Sequence, residues 1–147
     1  MGKGISLYVT SRFNDKKAVK AVQDKAITRG WTITEGWTLN NKVDLSAEHY
    51  EIAEMRADDD IEGIRKADVF IMLHSKEAVD GTGNWVELGA AIAFNIASAK
   101  PGVPFIYIVS EEKIDSCIFA YHPLVSRRAF VEQVFDEVEI LLAEEPI

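Results

Sequence analysis

Short apolar runs and amphipathic stretches alternate along this chain. Ile5 to Val9 reads ISLYV, a run of β-formers, and the stretch after it places Ala18, Val19, Val22, Ala26 and Ile27 on one helical stripe that stops at Gly30. WTITEGW, residues 31–37, reads as a second strand. The polar, turn-rich TLNNKVDLSAEHY leads into a helix near Ser46, and another helix covers Asp59 to Lys66. DVFIML, Asp68 to Leu73, and PFIYIV, Pro104 to Val109, are continuous apolar runs, the pattern of strands buried on both faces of a parallel sheet. Between them lies an apolar helix that carries Glu87. The chain closes with an amphipathic helix that spaces Phe130, Val134, Val138, Leu141 and Leu142 along one side.

Strands alternating with helices predict an α/β fold. Parallel connections are right-handed crossovers that need a helix-sized link, so the expected architecture is a single doubly wound parallel sheet, flavodoxin- or Rossmann-like, with about five strands and helices on both faces. The chain shows no internal repeat and no second domain, so residues 1–147 are read as one domain. Ligands of such sheets lie beyond the carboxyl ends of the strands, where strand order reverses. The crevice is therefore expected to be lined by the loops after Val9, Leu73 and Val109.

Composition narrows the function. With 147 residues, 48% hydrophobic and 27% charged, the chain is an ordinary globular one. A net charge of −8 opposes nonspecific binding to nucleic acid or to anionic membrane, since both require a basic face. The longest apolar run, Trp85 to Ala99, carries Glu87 and Asn95 and is too short to span a bilayer, and the N-terminus lacks a secretory apolar core; a cytoplasmic location is the expectation. A lone cysteine, Cys117, and three scattered histidines, His49, His74 and His122, leave no metal-ligand spacing. Neither a metal nor another cofactor is expected, and a small ligand is.

Glu87 is the residue that ordinary folding rules explain badly. Trp85, Val86, Leu88, Ala90, Ala91, Ile92, Ala93, Phe94, Ile96 and Ala97 leave its helix without a polar face, which predicts packing on both sides. One explanation of an acid there is a capping box, with Asn84 as cap and Glu87 reaching back to its N–H. The other is chemical: the helix dipole keeps the acid ionised while apolar walls strip its water, which makes a carboxylate nucleophile. Asp60 ahead of the third strand, Asp80 in the loop after it, and Tyr8 at the end of the first strand fall on segments that converge on the same crevice. Taken singly, each has a plain alternative as surface acid or core phenol.

These motifs resemble the nucleoside 2-deoxyribosyltransferases and their relatives that hydrolyse the N-glycosidic bond of nucleoside 5′-monophosphates. The resemblance rests on DIEGIRKAD, Asp60 to Asp68, and on DGTGNWVELGAA, Asp80 to Ala91, with ELG after a Gly-rich turn as the most specific part; the strand with Tyr8 and the segment FAYHPLVSRRAF add to it. It implies that Glu87 attacks C1′, that Tyr8 orients Glu87, and that Asp60 and Asp80 position sugar and base. It also implies a homo-oligomer in which a neighbouring subunit completes the pocket, with Phe119, Tyr121 and Leu124 as candidate contacts. Gly81, Thr82 and Gly83 are candidates to present N–H groups to a phosphate. Trp37 and Trp85 are candidate stacking walls, with packing as the alternative for Trp85, and Phe13 is a candidate base contact or core residue. Two departures stand out. Asp80 lies one residue further from Glu87 than in the transferases, and no Ser occupies the place of Gly81. Asp80 would repel a 5′-phosphate, so the expected reaction is transfer of the deoxyribosyl group of a 2′-deoxynucleoside to another base. The alternatives are hydrolysis of a nucleoside monophosphate and a non-catalytic nucleotide-binding module; a receiver-like domain lacks its acids in YVTSRF and IMLHSK.

Overall fold

The computed structural model of the chain describes residues 4–11, 16–35, 50–75, 83–115 and 117–143. Its elements run in the order β1 (Ser6–Thr10), α1 (Lys16–Thr28), β2 (Thr32–Ile33), α2 (Tyr50–Lys66), β3 (Val69–Leu73), α3 (Gly83–Ala97), β4 (Phe105–Val109), a 3₁₀ turn (Ile118–Tyr121), β5 (Val125–Arg128) and α4 (Val131–Ala143). All five strands are parallel and stand in the order β2-β1-β3-β4-β5. The chain moves outward from β1 to β2, then returns across the sheet to β3 and continues to β5. The switch therefore lies between β1 and β3, and the ends of these strands are where sheets of this kind take their ligands.

The apolar runs became the central strands because both sheet faces are covered. Leu7, Val9, Val69, Phe70, Ile71, Met72 and Ile108 are buried in one continuous core. Tyr8 and Thr10 point to the face under α2 and α3, alternating with Leu7 and Val9 as the two-residue strand period requires. At the opposite end of the strands, the Ser6 N–H donates to Oδ2 of Asp68 at 3.0 Å and the Asp68 N–H donates to Ser6 Oγ at 3.0 Å. The last acid of the DIEGIRKAD motif thus clips β1 to the entry of β3, away from the crevice.

Several expectations are corrected. Asp59 to Lys66 is the second half of one helix that runs from Tyr50, since no Gly or Pro interrupts Tyr50 to Glu62; the expected start near Ser46 lies outside the described residues. The described part of the second strand is only Thr32–Ile33, with residues 36–37 outside the described set. β5 forms from Val125–Arg128, a polar segment that no apolar run announced. The buried stripe of α1 is Val19, Val22, Gln23 and Ala26, with Ile27 exposed. That of α4 is Val131, Val134, Phe135 and Val138, with Phe130 and Leu141 exposed. The α3 helix is also not packed all round: Val86 is 66% exposed and Ile96 69%.

Candidate active site

The site assembles at the carboxyl end of β1. Tyr8, 1% exposed, and Thr10, 1% exposed, are two residues apart and so share one sheet face. From that face the Tyr8 phenol donates to Oε2 of Glu87, and Thr10 Oγ1 donates to Oε1 of Glu87 at 2.8 Å. Both oxygens of the carboxylate are therefore held by hydroxyls from one strand. Beside them Ser11 Oγ donates to the Leu73 carbonyl at 3.2 Å, tying the ends of β1 and β3 together at the crevice floor.

This arrangement overturns the capping box. The helix already begins at Gly83, which places Asn84 inside it, and the Glu87 carboxylate turns toward β1 instead of back along its own helix. The cause is energetic: two hydroxyl donors on a rigid strand satisfy a partly buried carboxylate better than one backbone N–H at a solvated helix end.

Electrostatics at the site follow from burial and crowding of like charge. Burial raises the Glu87 pKa, opposed by the hydrogen bonds from Tyr8 and Thr10. Burial, together with the charges of Glu87, Asp60 and Glu35, pushes the Tyr8 phenol far above its ordinary range, so it remains a donor at every working pH. Asp60, on α2, is pushed up to about 7 by burial first and then by the negative charges of Glu87, Glu35 and Asp59, against a lowering influence from Arg56. One carboxylate is held by donors while its neighbour retains a proton near neutrality, a division of roles that acid–base chemistry uses.

Gly63 explains the glycine of the DIEGIRKAD motif. A Cβ there would lie 2.8 Å from the Cβ of Glu35 and 3.1 Å from the Tyr8 ring. Thr34 Oγ1 donates to the Gly63 carbonyl at 2.7 Å, which brings the end of β2 against the same turn. Close passage of α2 over Tyr8 sets Asp60, one turn earlier on that helix, beside the phenol.

The structure thus brings together Glu87, Tyr8 and Asp60. Trp85 stands partly buried against His74, with ring centroids 5.7 Å apart, at the junction of β3 and α3. Burial lowers the His74 pKa, opposed by Glu112 and Asp115. Gly83 opens α3 with nothing within 4 Å of where a Cβ would stand. Asp80, Phe13, Gly81, Thr82 and Trp37 lie outside the described residues. Thr10 and Glu35 are the members that sequence reasoning missed. Thr10 was legible as the second side chain on the Tyr8 face of β1; Glu35 carried no signal, because its place depends on how β2 abuts α2. Among the described residues, no group of three or more His, Cys, Asp or Glu could hold a metal ion, and no helix is long and apolar enough to cross a membrane.

Neither a family model nor a curated protein matches the chain. Among solved structures, the fold is similar to that of the CMP N-glycosidase BcmB of Clostridium botulinum, with a TM-score of 0.55 and 14% identity over 91% of this chain and 98% of that one. At that identity the likeness establishes the shared α/β architecture.

Proposed function

We propose that the protein cleaves the N-glycosidic bond of a nucleoside or nucleotide, with Glu87 as nucleophile. The observation that carries this reading is the doubly held carboxylate: both oxygens of Glu87 accept hydroxyl hydrogen bonds from β1 at the switch point of the sheet, with the proton-retaining Asp60 beside it. Departure of a base builds positive charge on C1′ and the ring oxygen, and a carboxylate fixed beneath C1′ stabilises that charge or bonds to it. As a Glu87 oxygen bonds to C1′, the C1′–N bond breaks and its electrons leave with the base. The base takes the Asp60 proton. The acceptor then attacks C1′, gives its proton to the Asp60 carboxylate and releases Glu87.

The acceptor is either a second base, which gives deoxyribosyl transfer, or water, which gives hydrolysis. Transfer is the outcome expected from repulsion of a 5′-phosphate by Asp80 and from the missing Ser at Gly81. Hydrolysis of a nucleoside 5′-monophosphate is the second reading, favoured by the likeness to a CMP N-glycosidase. One assay separates them. The protein is incubated with a 2′-deoxynucleoside plus a different free base, and with a nucleoside monophosphate alone, and products are resolved by chromatography. Base exchange in the first mixture supports transfer; free base and sugar phosphate from the second alone replace it with hydrolysis; no base release from either removes the glycosidase reading.

A second copy of the chain is the partner that fits the exposed apolar surface over α3. Glu87 is the one ionisable side chain of α3 and faces inward, so its outward side presents Val86 and Ile96 without charge. The adjoining 3₁₀ turn and the residues after it expose Ile118 (82%), Phe119 (55%), Tyr121 and Leu124. Six such side chains at roughly 100 Å² each supply on the order of 600 Å² per copy, near the ~800 Å² per partner of a standard interface. The α3 part of this surface adds no like charge to a meeting of two chains of net charge −8. Light scattering on Ile96→Lys against the parent chain tests the contact: a dimer that dissociates supports it, and a parent that is monomeric and active refutes it.

A further inference from the structure

Asn84 is 6% exposed, and its Oδ1 is buried with no hydrogen-bond partner. Buried side-chain amides are nearly always satisfied, and an exception in a native fold calls for a ligand or a functional reason. Its position supplies one. Asn84 precedes Glu87 by three residues in α3, so the two side chains share a helix face, offset by about 4.5 Å along the axis. The offset runs toward the N-terminus of α3, outward from the level at which Thr10 holds the Glu87 carboxylate. It also lies on the buried stripe with Leu88, Ala91 and Ile92, which faces the sheet. A sugar ring whose C1′ rests on Glu87 has its hydroxyl groups within that same span.

We infer that Asn84 is a specificity-determining residue whose side-chain carbonyl accepts a hydrogen bond from a furanose hydroxyl of the substrate. The inference rests on the glycosidase reading for the identity of the ligand and on the unpartnered side-chain carbonyl of Asn84 for its place. An acceptor without a donor of its own selects hydroxyl-bearing sugars, because a substrate lacking the group leaves the amide as unsatisfied as it is in the free protein. It also accounts for the retention of a polar side chain in a stripe otherwise apolar: the group is a cost to the free fold, and the ligand relieves it.

The test uses Glu87→Gln protein, in which binding is read without turnover, and calorimetry with two series of ligands: cytidine and its 2′-deoxy and 3′-deoxy analogues, and the 5′-monophosphates of the same three. One of the two deletions is expected to weaken binding about 10-fold in Glu87→Gln and to lose that effect in Glu87→Gln/Asn84→Leu. Asn84→Leu alone is expected to raise the melting temperature, since it replaces an unsatisfied buried amide by an apolar side chain of similar volume. A lower melting temperature would identify Asn84 as structural and overturn the inference. So would equal hydroxyl effects with and without Asn84, or failure of every ligand of both series to bind. Intact binding by a wild-type protein that releases no base would instead overturn the glycosidase reading and leave the Asn84 assignment standing.

Discussion

The Tyr8 phenol donates its hydrogen bond to the carboxylate of Glu87 across 79 positions of chain. One residue comes from the middle of a buried strand and the other from the first turns of a helix five elements later. Their meeting makes a chemically defined carboxylate out of what is otherwise an awkward acid in an apolar helix.

Replacing Glu87 by Gln should leave the fold intact and abolish base release. The amide keeps the volume and can still accept from Tyr8 or Thr10, but it lacks the charge that the proposed attack on C1′ requires, so a loss of at least about 10³-fold in rate is expected. Chromatographic assay of free base, with circular dichroism as the check on folding, decides the matter. Undiminished turnover would remove Glu87 from the mechanism.

Thr10→Val deletes one of the two donors at constant shape. The Thr10 hydroxyl lowers the Glu87 pKa against the rise caused by burial, so its loss moves that pKa further up. In the proposed mechanism Glu87 acts as the anion, and the acid limb of the pH–rate profile should therefore shift to higher pH, with kcat reduced roughly 10-fold as the carboxylate loses its alignment. Thr10→Ser should restore both. An unchanged profile in the Val variant would show that Tyr8 alone holds the nucleophile.

Asp60 leaves two signatures. Its carboxyl is pushed up to about 7 from an ordinary 3.8, so the folded state holds a proton that the unfolded state releases. The sign follows from linkage: the stabilising contribution is complete below 3.8 and is lost as pH rises through about 7. Urea midpoints should fall across that window in the parent chain and fall less in Asp60→Asn. As proton donor to the leaving base, Asp60 should also set a basic limb near 7 in the rate profile. Asp60→Asn should lose that limb along with about 10²-fold or more in rate. A variant with normal turnover would mean that the base leaves with a proton from elsewhere.

Gly63→Ala tests the packing that seats Tyr8. Within a helix this change ordinarily gains up to ~1 kcal/mol. Here the new methyl would stand 2.8 Å from the Glu35 Cβ and 3.1 Å from the Tyr8 ring, and overpacking of that kind costs about 1–3 kcal/mol. Denaturant unfolding should show net destabilisation, and kcat should fall because Tyr8 is displaced from Glu87. A stabilised, fully active variant would show that α2 can lift away at no cost to the site.

Much of this protein is determined by local pattern. Short continuous apolar runs such as DVFIML and PFIYIV, rich in β-branched and aromatic residues, read as strands covered on both faces, and helices between them favour a parallel, doubly wound sheet. Tyr8, Asp60 and Glu87 are legible too, since each lies on a segment that this topology delivers to the switch point. Only the tertiary structure decided the rest. The polar segment Val125–Arg128 is a strand because β4 offers it an open edge, a partner no local signal can reveal. Asn84 and Glu87 match the spacing of a capping box, yet the carboxylate goes to Tyr8 and Thr10, because two donors on a rigid neighbouring strand outcompete a backbone group of its own helix. The α3 helix is apolar all round in sequence, but the sheet covers only one of its sides, which leaves Val86 and Ile96 outside. Periodicity along a chain records which residues avoid water; which neighbour satisfies a buried polar atom depends on contacts between segments far apart in sequence, and those exist only once the sheet has closed around them.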